Sequence, residues 1–340
     1  MVQNTFNASV LLNQSPGEHN CSLQIASLYG SAAEAIGHTP LVELKRVRAS
    51  GRILLKLEYL NPGYSKKDRV ARQIVEDAET SGKLRPGQQV VELTSGNTGT
   101  GLAIVCAVKG YRFIAVMSKG NSPERARMMR ALGAEVILVD QCPGSVPGQV
   151  SGDDLARVEQ TTEAIAREQG AFRADQFRNA ANFRAHYLHT GPEILAQSPY
   201  PIDVFCDFVG TGGMFAGCAA AFKEARATTR CFVVEPQDAA VLSGGALRNP
   251  AHRIQGGGYA MPRLDLIRLE NVDGYVAVSD RDAIKAAREL ARVEGVFAGF
   301  STGANLVAAR QLLEGEFRGG TAVIVASDSG LKYLTTDLWP

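Results

Sequence analysis

Short apolar segments alternate with helical patterns along most of this 340-residue chain, and this alternation restricts the fold more than any other feature of the sequence. From residue 34 onward, predicted strands such as 88–93 and 113–117 are each followed by a predicted helix. Short strands that are apolar throughout are typical of parallel sheets covered on both faces. The sequence therefore predicts an α/β fold in which twisted, mostly parallel sheets are flanked by helices.

The pattern of strands and helices starts again after Phe177, and the chain is long enough for two lobes with buried cores. The first series comprises predicted strands 53–57, 88–93, 113–117 and 135–139 and helices 70–78, 99–108, 123–132 and 153–169. The second series comprises predicted strands 203–209, 231–235 and 322–327 and helices 182–195, 214–225, 280–294 and 305–313. Each lobe is expected to contain one sheet.

The composition is that of an ordinary globular protein, with 45% hydrophobic and 21% charged residues. A net charge of +1 gives no electrostatic reason to expect nucleic acid or a membrane surface as a partner. No apolar run approaches the roughly 18 residues that a transmembrane helix needs. Because residues 1–19 lack a signal pattern, we expect a cytoplasmic protein, with residues 1–33 as an N-terminal extension.

The cysteines form no C-x-x-C pair, and most of them lie in apolar segments. This distribution favours reduced, buried thiols over disulfides or zinc ligands, and no metal site is expected. The six residues are Cys21, Cys106, Cys142, Cys206, Cys218 and Cys231.

Two lysines follow the chain-breaking loop 61–63 and precede a predicted helix at 70–78. The helix dipole disfavours a cation at this position, so an amine there is easier to deprotonate. Ser65 is predicted to be the N-cap residue, its hydroxyl accepting a backbone N–H of the first turn. Helical spacing from Lys67 reaches only apolar positions, whereas the same spacing from Lys66 reaches a largely polar edge. We therefore expect Lys67 to face the interior, where a desolvated amine suits Schiff-base chemistry, and Lys66 to face solvent.

Two turns between a predicted strand and a predicted helix could bind anions. In Gly210-Thr211-Gly212-Gly213, glycines expose backbone N–H groups and the helix dipole suits a phosphate. A dinucleotide fingerprint is the alternative, since Glu235 ends the next strand, but Phe215 occupies the place of its last glycine. The turn Thr94-Ser95-Gly96-Asn97-Thr98 is rich in hydroxyl groups, although an ordinary capped loop has the same pattern.

Together with Gly299-Phe300-Ser301-Thr302-Gly303-Ala304, these stretches resemble the pyridoxal-phosphate enzymes of the cysteine synthase and cystathionine β-synthase family in order and spacing. The resemblance covers roughly residues 34 to 335 and opens at 36–41. It implies a two-lobed fold type II enzyme with pyridoxal 5'-phosphate as cofactor, a small amino-acid substrate and a homodimeric assembly. It also implies a larger cofactor-binding domain, 34–73 with 181–340, and a smaller mobile domain, 74–180.

The resemblance also implies a role for each matching residue. Lys67 would hold the cofactor as a Schiff base and act as general base. Asn97 would hydrogen-bond the phenolic oxygen of the cofactor, and Ser301 would face its pyridine nitrogen. The residues that would hold its phosphate are Gly210, Thr211, Gly212, Gly213 and Met214. The residues that would bind the α-carboxylate of the substrate are Thr94, Ser95, Thr98 and Gln176.

Several residues depart from the family pattern. Met214 replaces a usual threonine, Lys66 a usually apolar residue and Tyr64 a usual glycine. The Gly- and Pro-rich loop 142–151 is a predicted mobile flap. Cys21 and a nearby histidine are a poor match to the N-terminal haem ligands of some relatives.

The implied reaction is β-replacement on an O-activated L-serine through an aminoacrylate intermediate. The default substrates are O-acetyl-L-serine and sulfide, which give L-cysteine. Alternatives are O-phosphoserine as donor, or homocysteine or an amine as nucleophile, giving cystathionine or a diaminopropionate-type precursor of a siderophore or another secondary metabolite. A serine/threonine dehydratase is a further alternative, but Gly96-Asn97-Thr98 argues against it. The last alternative is a non-catalytic nucleotide- or partner-binding protein, and intact Lys67, Asn97 and Ser301 argue against it.

Overall fold

The computed structural model describes residues 28–145 and 150–340. The pattern of contacts separates Met1–Gly30 from Ser31–Pro340, and the described helices and strands all lie in the second unit. Cys21 and nearly all of the predicted N-terminal extension lie outside the described residues, as does the centre of the loop 142–151.

Two sheets account for the strands of the described chain. The strands are β1 Leu41–Glu43, β2 Arg52–Lys56, β3 Val90–Leu93, β4 Phe113–Ser118, β5 Glu135–Val139, β6 Phe172–Arg173, β7 Val204–Phe208, β8 Arg230–Pro236, β9 Gly274–Val278 and β10 Thr321–Val325. A six-stranded sheet has the order β1-β2-β10-β7-β8-β9, and only the pair of β1 with β2 is antiparallel. A four-stranded sheet has the order β5-β4-β3-β6 and is parallel throughout.

Helices connect most of these strands. The α-helices of the described chain are α1 Lys67–Thr80, α2 Asn97–Lys109, α3 Pro123–Ala131, α4 Gly152–Gln169, α5 Ala180–Ala185, α6 Gly191–Gln197, α7 Gly213–Ala225, α8 Asp280–Glu289 and α9 Phe300–Glu314. A π-helical turn at His186–Thr190 joins α5 to α6, and a second at Leu290–Glu294 extends α8. Short 3-10 helices lie at Glu58–Leu60, Gln237–Ala239, Leu269–Asn271 and Gly330–Tyr333.

Alternating side chains of the six-stranded sheet enter two apolar clusters, because successive residues of a strand point to opposite faces. In β2, Ile53 and Leu55 join one cluster with residues of α8 and α9, whereas Leu54 joins a second cluster with residues of α7. In β7 the same alternation places Cys206 in the first cluster and Phe205 in the second. The sheet is therefore buried on both faces, as its continuous apolar strands predict.

The four-stranded sheet is buried in the same way. Val90 of β3 packs in a cluster with α1 and α2, whereas its neighbour Val91 packs in a cluster that includes α4. On α1, Val70 and Ile74 are fully buried in the first of these clusters. The apolar positions at helical spacing from Lys67 therefore form the face of α1 that enters the core.

The predicted fold class is confirmed, since two mostly parallel sheets are flanked by helices. The helix predicted at 305–313 begins earlier, at Phe300, and the helices predicted at 182–195 and 280–294 each contain a π-helical turn. The sequence did not predict β6, which has only two residues, or the edge strand β9, in which Tyr275 and Ala277 are exposed. The division into a larger and a smaller, mobile domain stays a prediction.

The topology brings the carboxyl ends of the parallel strands to common edges. In the six-stranded sheet, β2 and β7 both pair in parallel with β10, so their carboxyl ends lie on one side. The chain leaves β2 towards α1 and leaves β7 for α7, while β3 of the other sheet leads into α2. Open α/β sheets bind ligands at these ends, and the turns before α1, α2 and α7 are those that the sequence singled out.

Candidate active site

One cavity brings most of the predicted site residues together. The predicted residues in its wall are Lys67, Thr94, Ser95, Asn97, Thr98, Gln176, Gly210 and Thr211. The rest of the wall is formed by Leu93, Arg125, Leu155, Phe177, Gly256 and Tyr259. The turns that follow β3 and β7 therefore contribute to the same site, although they belong to different sheets.

Lys67 is the first residue of α1, and its side chain forms part of the cavity wall. Its Nζ donates a hydrogen bond to Oγ1 of Thr211 at 3.2 Å. Burial, and then the neighbouring ammonium of Lys66, lower the pKa of Lys67 to about 7, against the opposing charges of Asp207 and Glu92. Since the neutral amine is the nucleophilic form, Lys67 is suited to attack a carbonyl carbon near neutral pH.

The prediction that Lys66 faces solvent is wrong. Its Nζ lies 2.9 and 3.0 Å from the two carboxylate oxygens of Asp207, and only 12% of the Lys66 side chain is exposed. Asp207 is buried on β7. Lys66 has helical backbone angles, but the polar edge of α1 that it shares is itself buried, since Arg69 and Gln73 are 4% and 8% exposed. A place on that edge therefore does not bring the Lys66 side chain to solvent.

The predicted role of Ser65 is only partly correct. Its hydroxyl accepts the backbone N–H of Lys67 at 3.3 Å, as expected of a residue that satisfies the first turn. The N-cap residue of α1 is nevertheless Lys66, one position later, because the helix begins at Lys67.

A cup of polar groups lies at the start of α2. The hydroxyl of Thr98 donates to Oε1 of Gln176 at 2.6 Å, and Nε2 of Gln176 donates to the carbonyl of Leu93 at 3.0 Å. The hydroxyl of Thr94 accepts the backbone N–H groups of Gly96 and Gly99 at 3.0 and 2.9 Å. These bonds hold the hydroxyl and amide groups in place beside a helix N-terminus, which suits a carboxylate ligand.

Glu92 holds the backbone next to this cup, a role that was not predicted from the sequence. Its carboxylate accepts the backbone N–H groups of Asp175 and Gln176 at 2.8 and 3.3 Å. Burial raises the pKa of Glu92 to about 7, although the charge of Arg173 and these hydrogen bonds oppose the shift. Glu92 thus holds the main chain that carries the Gln176 side chain.

The start of α7 forms a cradle of glycines. Gly212 has a φ of +82°, which favours glycine. A Cβ at Gly210 would lie 2.7 Å from the carbonyl oxygen of Gly256, and a Cβ at Gly213 would overlap the amide oxygen of Asn182. That amide oxygen is buried, and no protein group in the described chain donates a hydrogen bond to it. The cradle therefore presents backbone at a helix start with no space for side chains.

These features fit the pyridoxal phosphate that the sequence resemblance implies. The helix start of α7 offers N–H groups and a favourable dipole to a phosphate, and Lys67 offers a neutral amine in the same cavity. The side chain of Met214 is buried in the core, where its sulfur lies 3.5 Å from that of Cys218. Met214 can therefore contribute only its backbone N–H. The contacts of Gly212, Gly213 and Met214 with the phosphate stay predictions.

Ser301 is the second residue of α9, and Gly299 is the N-cap residue of that helix. The alternative that Ser301 is a simple N-cap is therefore wrong. Its side chain is buried but does not contribute to the wall of the cavity. Its predicted contact with the pyridine nitrogen stays a prediction.

Arg125 lines the cavity, although the sequence did not predict it as a site residue. It lies in the first turn of α3, where its Nη1 donates to the carbonyl of Ser95 and its Nη2 to Oε1 of Gln255, both at 2.8 Å. Its Nε has no hydrogen-bond acceptor among the described residues, although the side chain is buried. The helix dipole disfavours a cation in the first turn of a helix. The same feature that indicated a function for Lys67 could therefore have indicated Arg125.

Other interpretations of the chain gain no support. Both carboxylate oxygens of Glu235, the candidate ribose-binding acid, accept backbone N–H groups, those of Leu242 and Ser243, at 2.7 and 3.0 Å. The five described cysteines are unpaired thiols, and no group of three or more acidic, His or Cys side chains in the described ranges could hold a metal. Within the same ranges, no helix has the length and apolar character needed to cross a bilayer.

Comparison with known proteins agrees with this site. Residues 32–328 match the family described as pyridoxal-phosphate dependent enzyme. The chain is 38% identical to a cysteine synthase of Staphylococcus aureus over 310 residues, which cover 90% of this chain and 96% of the relative. It is 37% identical to cysteine synthase A of Salmonella typhi over 325 residues, covering 93% and 97% of the two chains.

Solved structures show the same fold. An O-acetyl serine sulfhydrylase of Entamoeba histolytica superimposes with a TM-score of 0.84 at 34% identity, covering 96% of this chain and 95% of the other. An O-ureido-L-serine synthase superimposes with a TM-score of 0.82 at 36% identity, covering 92% and 95%. The chain belongs to the family of pyridoxal-phosphate-dependent enzymes, is of the cysteine synthase type and uses pyridoxal 5'-phosphate as its cofactor.

Proposed function

We propose that this enzyme catalyses β-replacement on an O-activated L-serine, with O-acetyl-L-serine and sulfide as substrates and L-cysteine as product. The observation that carries the proposal is that the turn 94–98 and Gln176 line the same cavity as Lys67. An amino acid whose α-carboxylate binds in this cup can present its Cα to the lysine amine. The names of the cysteine synthase and sulfhydrylase relatives support the same reaction.

In the proposed mechanism, bound pyridoxal phosphate supplies an electron-withdrawing ring that stabilises negative charge at the Cα of the substrate. Lys67 takes the Cα proton as general base, and its pKa of about 7 makes the neutral amine available at neutral pH. The electron pair left at Cα expels the activated oxygen from Cβ. A nucleophile then bonds to Cβ, and the ammonium of Lys67 returns a proton to Cα.

Two aromatic side chains add apolar surface to the cavity wall. Phe177 and Tyr259 both line the cavity, and their rings meet edge to face with centroids 5.9 Å apart. Burial raises the pKa of the Tyr259 hydroxyl, so it remains a neutral hydrogen-bonding group at neutral pH. Exclusion of water protects reactive intermediates from hydrolysis.

Product analysis of the purified holoenzyme tests the reaction directly. Each of O-acetyl-L-serine and O-phospho-L-serine is incubated with sulfide, homocysteine, an amino-acid amine or hydroxyurea, and the products are identified by mass spectrometry. We expect the highest kcat/KM for O-acetyl-L-serine with sulfide. Formation of pyruvate and ammonia without any replacement product would instead identify a β-elimination enzyme, and the same products from L-serine itself would identify a dehydratase.

O-phospho-L-serine is the second candidate donor, and Arg125 is the observation that favours it. This arginine lies in the cavity wall, is buried, and has an Nε–H without an acceptor in the described chain. A guanidinium group suits recognition of a phosphate. A preference for O-phospho-L-serine in the product analysis would support this candidate over the acetyl ester.

Replacement of Gln176 with alanine tests the proposed carboxylate cup. We expect the KM for the donor to rise by about 10- to 100-fold, the range for losing a hydrogen bond to a charged group. Cofactor affinity, measured by fluorescence titration of the cofactor-free protein, is expected to stay unchanged. Gln169, exposed at the end of α4, provides a matched control for the same substitution. A wild-type KM in Gln176→Ala would place the carboxylate elsewhere.

A further inference from the structure

The side chain of Asn97 is held at both ends by charged groups. Its Oδ1 accepts a hydrogen bond from Nζ of Lys332 at 2.6 Å, and its Nδ2 donates one to Oδ2 of Asp328 at 2.7 Å. Lys332 lies in the 3-10 helix Gly330–Tyr333, more than 200 residues from Asn97 along the chain. Neither charged partner was predicted from the sequence.

The chemistry of these partners determines the orientation of the amide. An ammonium group can only donate hydrogen bonds, and an ionised carboxylate can only accept them. The amide oxygen of Asn97 must therefore face Lys332, and its amide nitrogen must face Asp328. The nitrogen carries two hydrogens, of which Asp328 takes one. Because Asn97 lines the cavity, the second N–H is left for an acceptor there.

Both charged partners are themselves held in place. Nζ of Lys332 also donates to the carbonyl of Gly63 at 2.9 Å, and the hydroxyl of Tyr333 donates to Oδ2 of Asp328 at 2.6 Å. Lys332 and Asp328 are 7% and 2% exposed, so neither side chain can reach bulk water by a small movement. A buried, multiply bonded pair can determine the orientation of the group between its members.

We propose that Lys332 and Asp328 are positioning residues that hold the amide of Asn97 with one N–H directed to the phenolic oxygen of the bound cofactor. The proposal rests on the role of Asn97 that the family resemblance implies. Without Lys332, no other residue of the described chain bonds to the amide oxygen, and the amide can rotate away from the orientation that donates to the cofactor. Lys332 therefore acts on the cofactor through Asn97 rather than by touching it.

Removal of the Lys332 charge would also affect the protonation of the buried Asp68. Burial lowers the pKa of Lys332 to about 8, although the charges of Asp328 and Asp68 oppose the shift. Burial raises the pKa of Asp68 to about 7, against the opposing charge of Lys332. Loss of the lysine therefore favours protonation of Asp68, which limits the cost of leaving that carboxyl group buried without its cation.

A double-mutant cycle of Lys332→Met and Asn97→Ala on the affinity for pyridoxal phosphate tests the proposal. Fluorescence titration of cofactor-free protein gives the Kd, and the absorption maximum of the bound cofactor provides a second readout. We expect Lys332→Met alone to raise the Kd by about 3- to 10-fold, the value of one hydrogen bond, and to shift the absorption maximum. In the Asn97→Ala background it should change neither quantity.

Equal effects of Lys332→Met in both backgrounds would overturn the proposal, because Lys332 would then act without Asn97. Lys332→Gln provides a second variant if the methionine variant does not fold, since its amide can still donate to Asn97 but carries no charge. It should keep a Kd closer to that of the wild type, and a Kd as high as that of Asn97→Ala would also overturn the proposal. These measurements need no substrate, so they remain informative if the proposed β-replacement reaction fails.

Discussion

Replacement of Lys67 with alanine is expected to lower kcat by about 10⁴-fold, the upper range for loss of a general base. The same variant should lose the covalent attachment of the cofactor. Borohydride treatment of the wild-type holoenzyme, followed by peptide mass spectrometry, should place the reduced pyridoxyl group on Lys67. Lys66→Arg is the matched control, because it can keep the ion pair with Asp207 while leaving Lys67 intact. Attachment at Lys66, or an active Lys67→Ala variant, would contradict the assignment.

The lowered pKa of Lys67 predicts how the capture of the cofactor depends on pH. Burial and the charge of Lys66 favour the neutral amine, so its fraction rises as pH increases through about 7 rather than through 10.5. The rate at which cofactor-free protein binds pyridoxal phosphate should rise over the same interval. Removing the anion with Asp207→Asn should move this interval to lower pH, since Asp207 raises the pKa of Lys67. An unchanged interval would show that the ion pair does not affect Lys67.

Replacement of Glu58 with glutamine is expected to lower the free energy of unfolding by about 3–5 kcal/mol, the cost of removing one partner from a buried ion pair. Glu58 is fully buried and accepts two hydrogen bonds from Arg69, at 2.7 and 2.8 Å. Arg69 also donates to both oxygens of Glu193 at 2.7 Å, and Glu193 pairs with the buried Lys56 at 2.8 Å. Two cations and two anions therefore balance one another, and the variant leaves two buried cations to share the single carboxylate of Glu193.

Urea unfolding of the holoenzyme measures this loss. The control is Glu76→Gln, also on α1, where Glu76 lies 3.8 Å from Arg72 and the two side chains are 44% and 22% exposed. Surface pairs contribute about 0–1 kcal/mol, so this control should remain close to the wild type. Similar losses in the free energy of unfolding of the two variants would show that burial does not make the Glu58 pair the more important one.

The same network predicts a dependence of stability on pH. Burial alone would raise the pKa of Glu193, but the hydrogen bonds and charges of Arg69 and Lys56 lower it to about 2. Because the folded pKa lies below the unfolded value of 4.5, the contribution of Glu193 is present above pH 4.5 and is lost as pH falls towards 2. Unfolding measured from pH 6 to pH 3 should show a smaller decline in Glu193→Gln than in the wild type.

Local patterns were sufficient for the fold class and for the orientation of the central lysine. Strands that are apolar throughout require cover on both faces, and the two faces of β2 and β7 are indeed buried by different helices. The stripe containing Val70 and Ile74 faces the core, so the phase of α1 could be read from helical spacing alone. The turns with site residues follow from the same logic, because parallel strands bring their carboxyl ends to one edge.

Local spacing was insufficient where a polar helix edge is buried, where a strand is very short and where a helix contains a π-helical turn. Lys66 shares an edge of α1 with Arg69 and Gln73, which are polar but buried, so its side chain pairs with Asp207 instead of reaching solvent. Strand β6 has two residues and no periodicity to detect. The π-helical turn at 186–190 cannot be distinguished from a continuous α-helix by apolar spacing.

The sequence by itself determined the α/β class, the inward direction of Lys67 and the loops that form the cavity, because each depends on residues close together in the chain. Only the tertiary structure decided which distant groups hold these residues. Asp207 is 141 positions from Lys66, and Lys332 is 235 positions from Asn97. The packing of the two sheets and their helices brings such partners together. Local sequence periodicity therefore cannot predict these pairs. Burial within that packing also lowers the pKa of Lys67, so its reactivity depends on the assembled fold.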